Sequence, residues 1–415
     1  MAHAMIAVEE HLAAILARVT ALPAERAAAA DAEGLTLLED ARARVDVPAF
    51  DNSAMDGFAV RHADVAAAAP DAPVALRIVA DLPAGSSLDP ALGVGETARI
   101  MTGSAVPTDA DVVVPFEATA GGLEGSTSEA VVLRAPARPG QHIRRRGEDT
   151  EAGDVVLPAG ARIGAFALGA LAATGITEVT VARRPRVAVV STGSELAPPG
   201  APLARGMIPE SNSSVLAALA READAEVVLR TSVPDEADAL RAAVATARDR
   251  GADAIVFSGG VSAGAYEVVK STLGPGGEMA FSSVAMQPGK PQGFGVLRGG
   301  ILLFGLPGNP VSAAVSFEVF VRPALLRMQG RAELARPILH LPAATGWRTP
   351  SPRRQYLPAA IDRTDPARWT VRPATAGGSG SHLASALGRA EAYAVVPADV
   401  VAVEPGDPVD VMLVT

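Results

Sequence analysis

The stretch that decides the fold reads Val-Ala-Val-Val-Ser-Thr-Gly-Ser-Glu and occupies residues 187–195. Its first four residues form a short apolar run bounded by turn residues, which is typical of a buried parallel strand. Further strands are predicted at residues 226–231, 254–258, 293–297 and 301–304. Helices are predicted at residues 214–223 and 235–250, in a segment ending at residue 270, and at residues 311–328. This alternation implies right-handed crossovers and a doubly wound α/β sheet over residues 183–330.

Ligands of a doubly wound sheet bind beyond the carboxyl ends of its strands. Those ends carry three loops rich in glycine and small residues, at residues 191–195, 258–264 and 306–310. Free backbone N–H groups where a helix begins are a common way to hold a phosphate. Each loop alone also fits a plain tight turn. We expect a phosphate-binding site that includes Ser191, Thr192, Gly193, Ser258, Gly259, Gly260, Ser262, Gly264, Pro307, Gly308 and Asn309.

Charged side chains accompany these loops. Asp235 and Glu267 are acidic candidates, and carboxylates beside a phosphate site suggest Mg²⁺, which shares oxygen ligands with phosphates. Asp235 fits a charge near a helix N-terminus equally well. Only Lys270 and Lys290 among the 36 basic residues are lysines. Lysine supplies a compact, strongly hydrated point charge, so Lys290 is the candidate cation for an anionic ligand.

The rest of the chain predicts further domains around the α/β unit. Residues 8–19 predict an amphipathic helix, and short strands, for example at residues 74–80, 97–101 and 112–116, predict a β-rich domain over residues 52–136. If the first helix packs against residues 139–181, then residues 1–51 and 137–182 form one discontinuous N-terminal mixed α/β domain and the β-rich domain is inserted into it. Residues 331–415 predict a C-terminal β domain resembling a barrel. The expected fold class is therefore multidomain α/β plus β.

Composition excludes several classes of protein. The lack of cysteine in all 415 residues excludes disulfides, thiolate zinc sites, iron–sulfur clusters and a Cys nucleophile. The six histidines form no HxH or HxxxH pair, so no His-based metal site is expected. A net charge of −10 argues against a general nucleic-acid binder. Because there is no secretory pattern and no unbroken apolar run of membrane-spanning length, we expect a cytoplasmic protein that binds neither nucleic acid nor membrane.

Two polar segments lie outside the α/β region. Residues 48–60 are dense in turn residues and include Asp56, and Thr102 follows a predicted strand. Both positions fit ordinary turns. The three arginines at residues 144–146 fit a solvated or salt-bridged face better than a phosphate site. From the residues alone, the prediction is a phosphate-binding α/β enzyme such as a hydrolase.

Six motifs, in their order and spacing, resemble those of the MoeA family of molybdenum-insertion proteins, which includes the E domains of the plant molybdenum insertase and of gephyrin. The motifs are PAFDNSAMDGFAV (48–60), RIMTGSAVP (99–107), VVSTGSEL (189–196), SGGVSAG (258–264), MQPGKPQGFG (286–295) and LPGNPVS (306–312). The resemblance extends from the N-terminal helix to the C-terminal β domain.

The resemblance implies an elongated homodimer of four-domain subunits, with the active site between the α/β domain of one subunit and the β-rich domain of the other. The implied reaction takes adenylylated molybdopterin and molybdate, cleaves the phosphoanhydride, releases AMP and leaves molybdenum on the dithiolene, supported by Mg²⁺. Lys290 and backbone N–H groups would position the anions, while Asp235 and Glu267 would hold Mg²⁺. Other proteins of molybdenum cofactor synthesis are implied partners. The functional residues carried over are Asp56, Thr102, Glu195, Asp235, Lys290, Arg353 or Arg354, and Ser379 or Ser381.

This chain departs from the family pattern at Glu267, where many members have Asp, and at Gln287, where many have Lys. Two alternative functions stay open beside molybdenum transfer. One is adenylylation of molybdopterin, against which the motif at residues 48–60 and the full-length architecture argue. The other is a scaffold role as in gephyrin, which the lack of an appended adenylylating domain and of a long Pro/Ser-rich linker makes the weaker alternative.

Overall fold

The computed structural model describes residues 5–122, 128–261, 267–350, 352–375 and 384–414. None of the helices in these ranges is long and apolar enough to cross a membrane. The α-helices are Val8–Leu16, His62–Val65, Ala165–Ala173, Asn212–Glu222, Ala237–Asp249, Val268–Leu273, Pro310–Ser316, Arg322–Met328 and Ala384–Leu387. A π-helical turn, Phe317–Val321, joins the seventh and eighth of these into one long element over residues 310–328, here called the long C-terminal element because it ends the central unit. Turns of 3₁₀ helix occupy Ala29–Asp31 and Phe116–Ala118.

A mixed six-stranded sheet, here the central sheet, organises the middle of the chain. Its strands lie in the order Glu226–Val233, Arg186–Thr192, Ala254–Ser258, Leu302–Leu306, Pro291–Val296 and Met279–Ser283. The first four are parallel, as the sequence predicts. The strand expected at residues 293–297 instead runs antiparallel, because a short turn joins it to Leu302–Leu306 and so short a connection makes a hairpin. Met279–Ser283 is an additional antiparallel edge strand that the sequence analysis missed.

Helices cover both faces of the central sheet. Val187 and Val189 pack with the helix Asn212–Glu222 and the long C-terminal element, whereas Ala188 and Val190 pack against the helices Ala237–Asp249 and Val268–Leu273. Successive residues of a strand point to opposite faces, so a strand covered on both sides must be apolar throughout. This requirement explains why residues 187–190 carry no polar side chain.

Two further sheets lie on either side of the central unit in sequence. The β-rich sheet has the order Val112–Pro115, Gly57–Val60, Glu96–Ile100, Val74–Leu82 and Glu129–Val132, which confirms the three predicted strands to within a few residues. The C-terminal sheet has the order Met286–Gln287, Arg354–Asp362, Ala392–Val396, Pro408–Leu413 and Ile338–Pro342, and Thr370–Pro373 pairs with Arg354–Asp362.

Short strands complete the structure. Ala24–Ala28 and Thr36–Leu37 flank Glu178–Ala182. The remaining pairs are Ala41–Arg42 with Val155–Leu157, Asn52–Ser53 with Ile143–Arg144, Leu196–Ala197 with Ile208–Pro209, and Trp347–Arg348 with Ala402–Val403.

The first helix is shorter than predicted and packs elsewhere. It ends at Leu16 rather than residue 19, and its Val8 and Ile15 belong to the core around the long C-terminal element. The His11 ring meets Phe320 edge-on, with 4.8 Å between ring centroids. The expected packing against residues 139–181 is therefore wrong for this helix. The strand Ala24–Ala28, which follows it, makes that contact by pairing with Glu178–Ala182. The division into domains stays a prediction.

A buried carboxylate joins the central unit to the N-terminal strands. Asp224 follows the helix Asn212–Glu222 with φ of 56° and accepts two hydrogen bonds of 2.9 Å from the Arg162 guanidinium. Arg331, three residues beyond the end of the long C-terminal element, also donates to the Asp224 carboxylate. Burial alone would raise the pKa of Asp224, but the hydrogen bonds and charges of Arg162 and Arg331 hold it below the ordinary value. Asp224 thus fixes three distant parts of the chain relative to one another.

Asp224→Asn should lower the free energy of unfolding by about 3 kcal/mol near neutral pH, because it removes the charge from a largely buried ion-pair network. Asparagine tolerates the positive φ, so the backbone itself is not strained. A carboxylate with a depressed folded-state pKa stabilises the fold fully above its unfolded pKa, near 3.8, and loses that contribution as pH falls through the folded value. The stability difference between the two proteins in urea titrations should therefore be constant above about pH 4 and shrink progressively as the pH falls below it. A stability difference independent of pH would contradict this role.

Candidate active site

A cleft of about 810 Å³ opens at the carboxyl ends of the parallel strands Arg186–Thr192, Ala254–Ser258 and Leu302–Leu306. Parallel strands present their carboxyl ends at one edge of the sheet, so the loops that follow them meet there. The sequence-predicted residues that line the cleft are Thr192, Gly193, Glu195, Asp235, Gly259, Gly260, Glu267, Lys290, Pro307, Gly308 and Asn309.

The glycine loop, residues 258–260, requires its two glycines for steric reasons. Gly259 has φ of 94° and Gly260 has φ of 68°, a region that favours glycine. A Cβ at Gly260 would lie 2.9 Å from the backbone nitrogen of Val269, and one at Gly259 would lie 2.6 Å from the carbonyl oxygen of Thr192. The loop therefore passes close to the neighbouring strand and helix because it has no side chains there.

Two of the N–H groups expected to bind phosphate have backbone partners. Gly259 donates to the carbonyl of Leu306 at 3.0 Å, and Gly193 donates to that of Val233 at 3.2 Å. No helix begins directly after residues 191–195, because the chain continues into the strand Leu196–Ala197 and the next helix starts only at Asn212. These two glycines shape the cleft wall, and phosphate donors must come from other groups.

Ser191 and Ser258 are buried strand residues rather than cleft-wall residues. Ser191 donates its hydroxyl to Glu210, at 2.8 Å. Glu210, only 7% exposed, also accepts the backbone N–H and hydroxyl of Ser213 at 2.7 and 2.6 Å. Glu210 lines the cleft and was missed from the sequence, although an acidic residue just before a helix is favoured by the positive end of the helix dipole.

Asn212 is a second residue that sequence analysis missed. Its amide nitrogen donates to the Ser258 hydroxyl and to the Gly308 carbonyl, both at 2.6 Å. These partners belong to the glycine loop and to the loop at residues 306–310. One side chain thereby sets the distance between two walls of the cleft.

Four carboxylates, those of Glu195, Glu210, Asp235 and Glu267, line the cleft. Asp235 accepts the Ser194 N–H and donates its own N–H to the Ser194 hydroxyl, each at 3.1 Å, so it holds the loop that carries Glu195. Asp235 stands two residues before the helix Ala237–Asp249. Glu267 is the residue directly before the helix Val268–Leu273.

The donor set tests whether Mg²⁺ fits. The described ranges contain no cluster of three or more His, Asp or Glu side chains able to hold a metal ion. Mg²⁺, however, is usually held by one or two carboxylates together with substrate phosphates and water. Asp235 and Glu267 therefore fit an ion that is shared with a phosphate ligand rather than enclosed by protein.

The cleft lining also includes a cation. Lys290 is exposed and lines the cleft together with Gln287, whereas Lys270 is absent from the described lining. In the part of the chain that the structure describes, the Lys290 ammonium has no ion-pair partner. The cleft lining thus combines carboxylate acceptors with a lysine that has no ion pair among the described residues.

Asp56 and Thr102 lie together but away from this cleft. The Asp56 carboxylate accepts the N–H and the hydroxyl of Thr102, both at 2.7 Å, and these bonds lower the pKa of Asp56. Neither residue, nor Arg353, belongs to the cleft wall described for the same chain. Ser262, Gly264, Ser379 and Ser381 lie outside the described residues.

The arginine run is salt-bridged, as the ordinary interpretation predicts. Arg145 pairs with Asp51 and Arg146 pairs with Asp46. Arg354, the alternative to Arg353, pairs with Glu9 of the first helix.

Comparison with known proteins identifies the family of the chain. Family models match the MoeA N-terminal region (domain I and II) at residues 6–175, the probable molybdopterin binding domain at 188–327, and the MoeA C-terminal region (domain IV) at 340–414. Molybdopterin molybdenumtransferase 2 of Mycobacterium tuberculosis is 42% identical over 97% of this chain and 98% of its own length. A Staphylococcus aureus molybdopterin molybdenumtransferase is 32% identical over 98% and 95%. A MoeA crystal structure from Pyrococcus horikoshii has a TM-score of 0.82 at 26% identity, covering 99% of this chain and 100% of that one.

The central sheet with its polar cleft is thus the part of the chain that matches a molybdopterin-binding domain. Because the similarity extends over nearly the whole length of several relatives, the chain belongs to the MoeA family.

Gly260→Ala should destabilise the protein by about 2–4 kcal/mol, because the methyl group meets backbone and the residue must keep a left-handed φ. Gly308→Ala is the matched control, since its Cβ would make an ordinary 3.5 Å contact with Gly259. Thermal denaturation of both variants gives the comparison. Equal changes in Tm would contradict the close approach at Gly260.

Proposed function

We propose that the chain transfers molybdenum from molybdate to adenylylated molybdopterin, with release of AMP. The supporting observation is the cleft at the strand ends, whose lining includes Glu195, Asp235, Glu267 and Lys290, in a chain whose full-length relatives are named molybdopterin molybdenumtransferase. Molybdate and a phosphoanhydride are both anions, and a cation together with hydrogen-bond donors binds such groups strongly.

In this proposal the Lys290 side of the cleft binds the anions. The ammonium supplies charge, and the Gln287 amide, which lines the same wall, supplies neutral donors. Asn212 and Glu210 link the strand-end loops through their hydrogen bonds to Ser258, Gly308 and Ser191. Fixed charges and dipoles need no reorganisation during reaction, which is how such a site lowers a barrier.

Mg²⁺ is part of the proposal. Asp235 and Glu267 would hold it against the phosphates, and the ion would neutralise charge on the phosphoanhydride as the leaving AMP separates. Glu195, from the loop that Asp235 holds, is a further carboxylate in the cleft lining.

A homodimer accounts for the position of Asp56 and Thr102. This pair is exposed, hydrogen-bonded and separate from the cleft of its own chain, as expected if it completes the cleft of a second copy. The helix Ala165–Ala173 has no polar residue, and its Phe166 is 97% exposed, so its outer face suits burial against another copy. The cytoplasmic location and other cofactor-synthesis partners stay predictions.

The direct test mixes purified protein with adenylylated molybdopterin, Mg²⁺ and molybdate, and follows AMP by chromatography. Release of AMP that depends on molybdate, together with molybdenum bound to the product, supports molybdenum transfer. Release without molybdate indicates a simple phosphoanhydride hydrolase. Formation of adenylylated molybdopterin from ATP would instead indicate the adenylylation reaction.

Cross-subunit sites predict complementation between two inactive variants. Asp56→Asn and Lys290→Gln should each abolish AMP release as homodimers with an unchanged fold. Co-refolded mixtures should recover roughly a quarter of the parental activity, since half the dimers are mixed and each mixed dimer has one intact site. If both residues acted within one chain, mixing would restore nothing.

Glu267 tests the metal proposal. Glu267→Asp keeps an ionised oxygen and should retain substantial AMP release, whereas Glu267→Gln should need far more Mg²⁺ or fail. A Mg²⁺ titration of AMP release in the parent and both variants provides the measurement. Superimposable titration curves would remove Glu267 from the metal site.

A further inference from the structure

The loop that carries Lys290 is closed at its base by backbone hydrogen bonds. This cation loop, residues 287–291, runs from the end of the strand Met286–Gln287 to the start of the strand Pro291–Val296. The Val284 N–H donates to the Lys290 carbonyl at 2.8 Å. The residues just before it are paired on both sides. Ile6 bonds to Ser283 and Ala285 on one side, both at 2.9 Å, and Arg354 bonds to Ala285 on the other at 3.0 Å.

The tip of the cation loop is held by one buried amide. Gln292 is only 1% exposed, and its amide nitrogen donates to the Gly289 carbonyl at 2.6 Å and to the Ser316 hydroxyl at 2.7 Å. Gly289 has φ of 103°, and a Cβ there would lie 2.9 Å from the Ser316 hydroxyl oxygen. The tip is thus pressed against the helix Pro310–Ser316 with Gln292 as the link.

The position of the Lys290 ammonium depends on this backbone. Its side chain has no ion pair in the described ranges, so no neighbouring carboxylate orients it. Gly289 directly precedes Lys290. If the Gly289 carbonyl lost its donor, it would be buried without a hydrogen bond, and the loop would relieve that desolvation penalty by moving toward water. Movement of Gly289 would displace Lys290 from the cleft wall.

We propose that Gln292 is a positioning residue for anion binding, which holds Lys290 at the cleft through the Gly289 carbonyl and the Ser316 hydroxyl. The inference rests on the proposed function for the identity of the anion, molybdate. Gln292 itself does not line the cleft in the described structure, so it acts through the loop.

The test compares Gln292→Met with Gln329→Met in the full-length protein. Methionine has similar length and no amide. Gln329 is a matched control, because it is 2% exposed and its amide donates to the Ala223 and Leu325 carbonyls at 2.8 and 3.2 Å in the same unit. Equilibrium dialysis with molybdate should show roughly tenfold weaker binding for Gln292→Met. Gln329→Met should lower Tm without changing affinity.

A double-mutant cycle separates positioning from general destabilisation. If Gln292 acts through Lys290, Gln292→Met should weaken molybdate binding in the parent but add nothing to Lys290→Gln. Additive losses, or affinity unchanged in Gln292→Met, would overturn the proposal. Should Gln292→Met not fold, Ser316→Ala, which removes one partner of the amide, enters the same cycle with the same criteria.

Amide hydrogen exchange at Val284 needs no ligand and reports on its bond to the Lys290 carbonyl. Faster exchange in Gln292→Met but not in Gln329→Met supports the positioning role, and equal exchange in the two variants contradicts it. If the parent binds no molybdate, the proposed function fails, while this exchange comparison still decides whether Gln292 fixes the loop.

Discussion

The candidate site depends on one constraint, the parallel pairing of the strands Arg186–Thr192, Ala254–Ser258 and Leu302–Leu306. Parallel pairing sends every carboxyl end to the same edge, and complete burial of these strands leaves their ends as the first place where polar groups can reach solvent. Glu210 and Asn212 lie at that edge. By bonding to Ser191, Ser258 and Gly308, they convert three separate turns into the walls of one cleft.

The sequence predicted features whose physical cause is local. Apolar runs such as residues 187–190 identify buried strands without reference to the rest of the chain, and the strand Ala254–Ser258 begins and ends where it was predicted. Contacts between distant segments were not accessible in this way. The first helix carries an apolar face that fits several neighbours equally, and only the structure places it against Phe320. The single residues Glu210 and Asn212 gave no repeating pattern, since each acts through partners that folding brings together.

The site shows the same division. Glycine-rich loops at strand ends predicted the cleft, and most of the proposed residues line it. The assignment of N–H groups to phosphate failed at Gly193 and Gly259, because pairing with the adjacent strands satisfied those donors first. Asp56 and Thr102 were identified only by resemblance. Within one chain they bond to each other and do not line the cleft, so any contact that they make with a cleft must involve a second copy of the chain.

The pairing of Ile6 and Arg354 with the residues before the cation loop has a consequence for biosynthesis. Segments from near the two ends of the chain must both arrive before residues 283–285 have all their neighbours. During synthesis from the N-terminus, the central strands can associate while the ribosome still holds the C-terminal sheet, yet the lysine-bearing wall is unfinished at that stage. Contacts so distant in sequence also form slowly. Residues 285–287 therefore gain their backbone partners in the C-terminal sheet only after the strand Arg354–Asp362 has been synthesised.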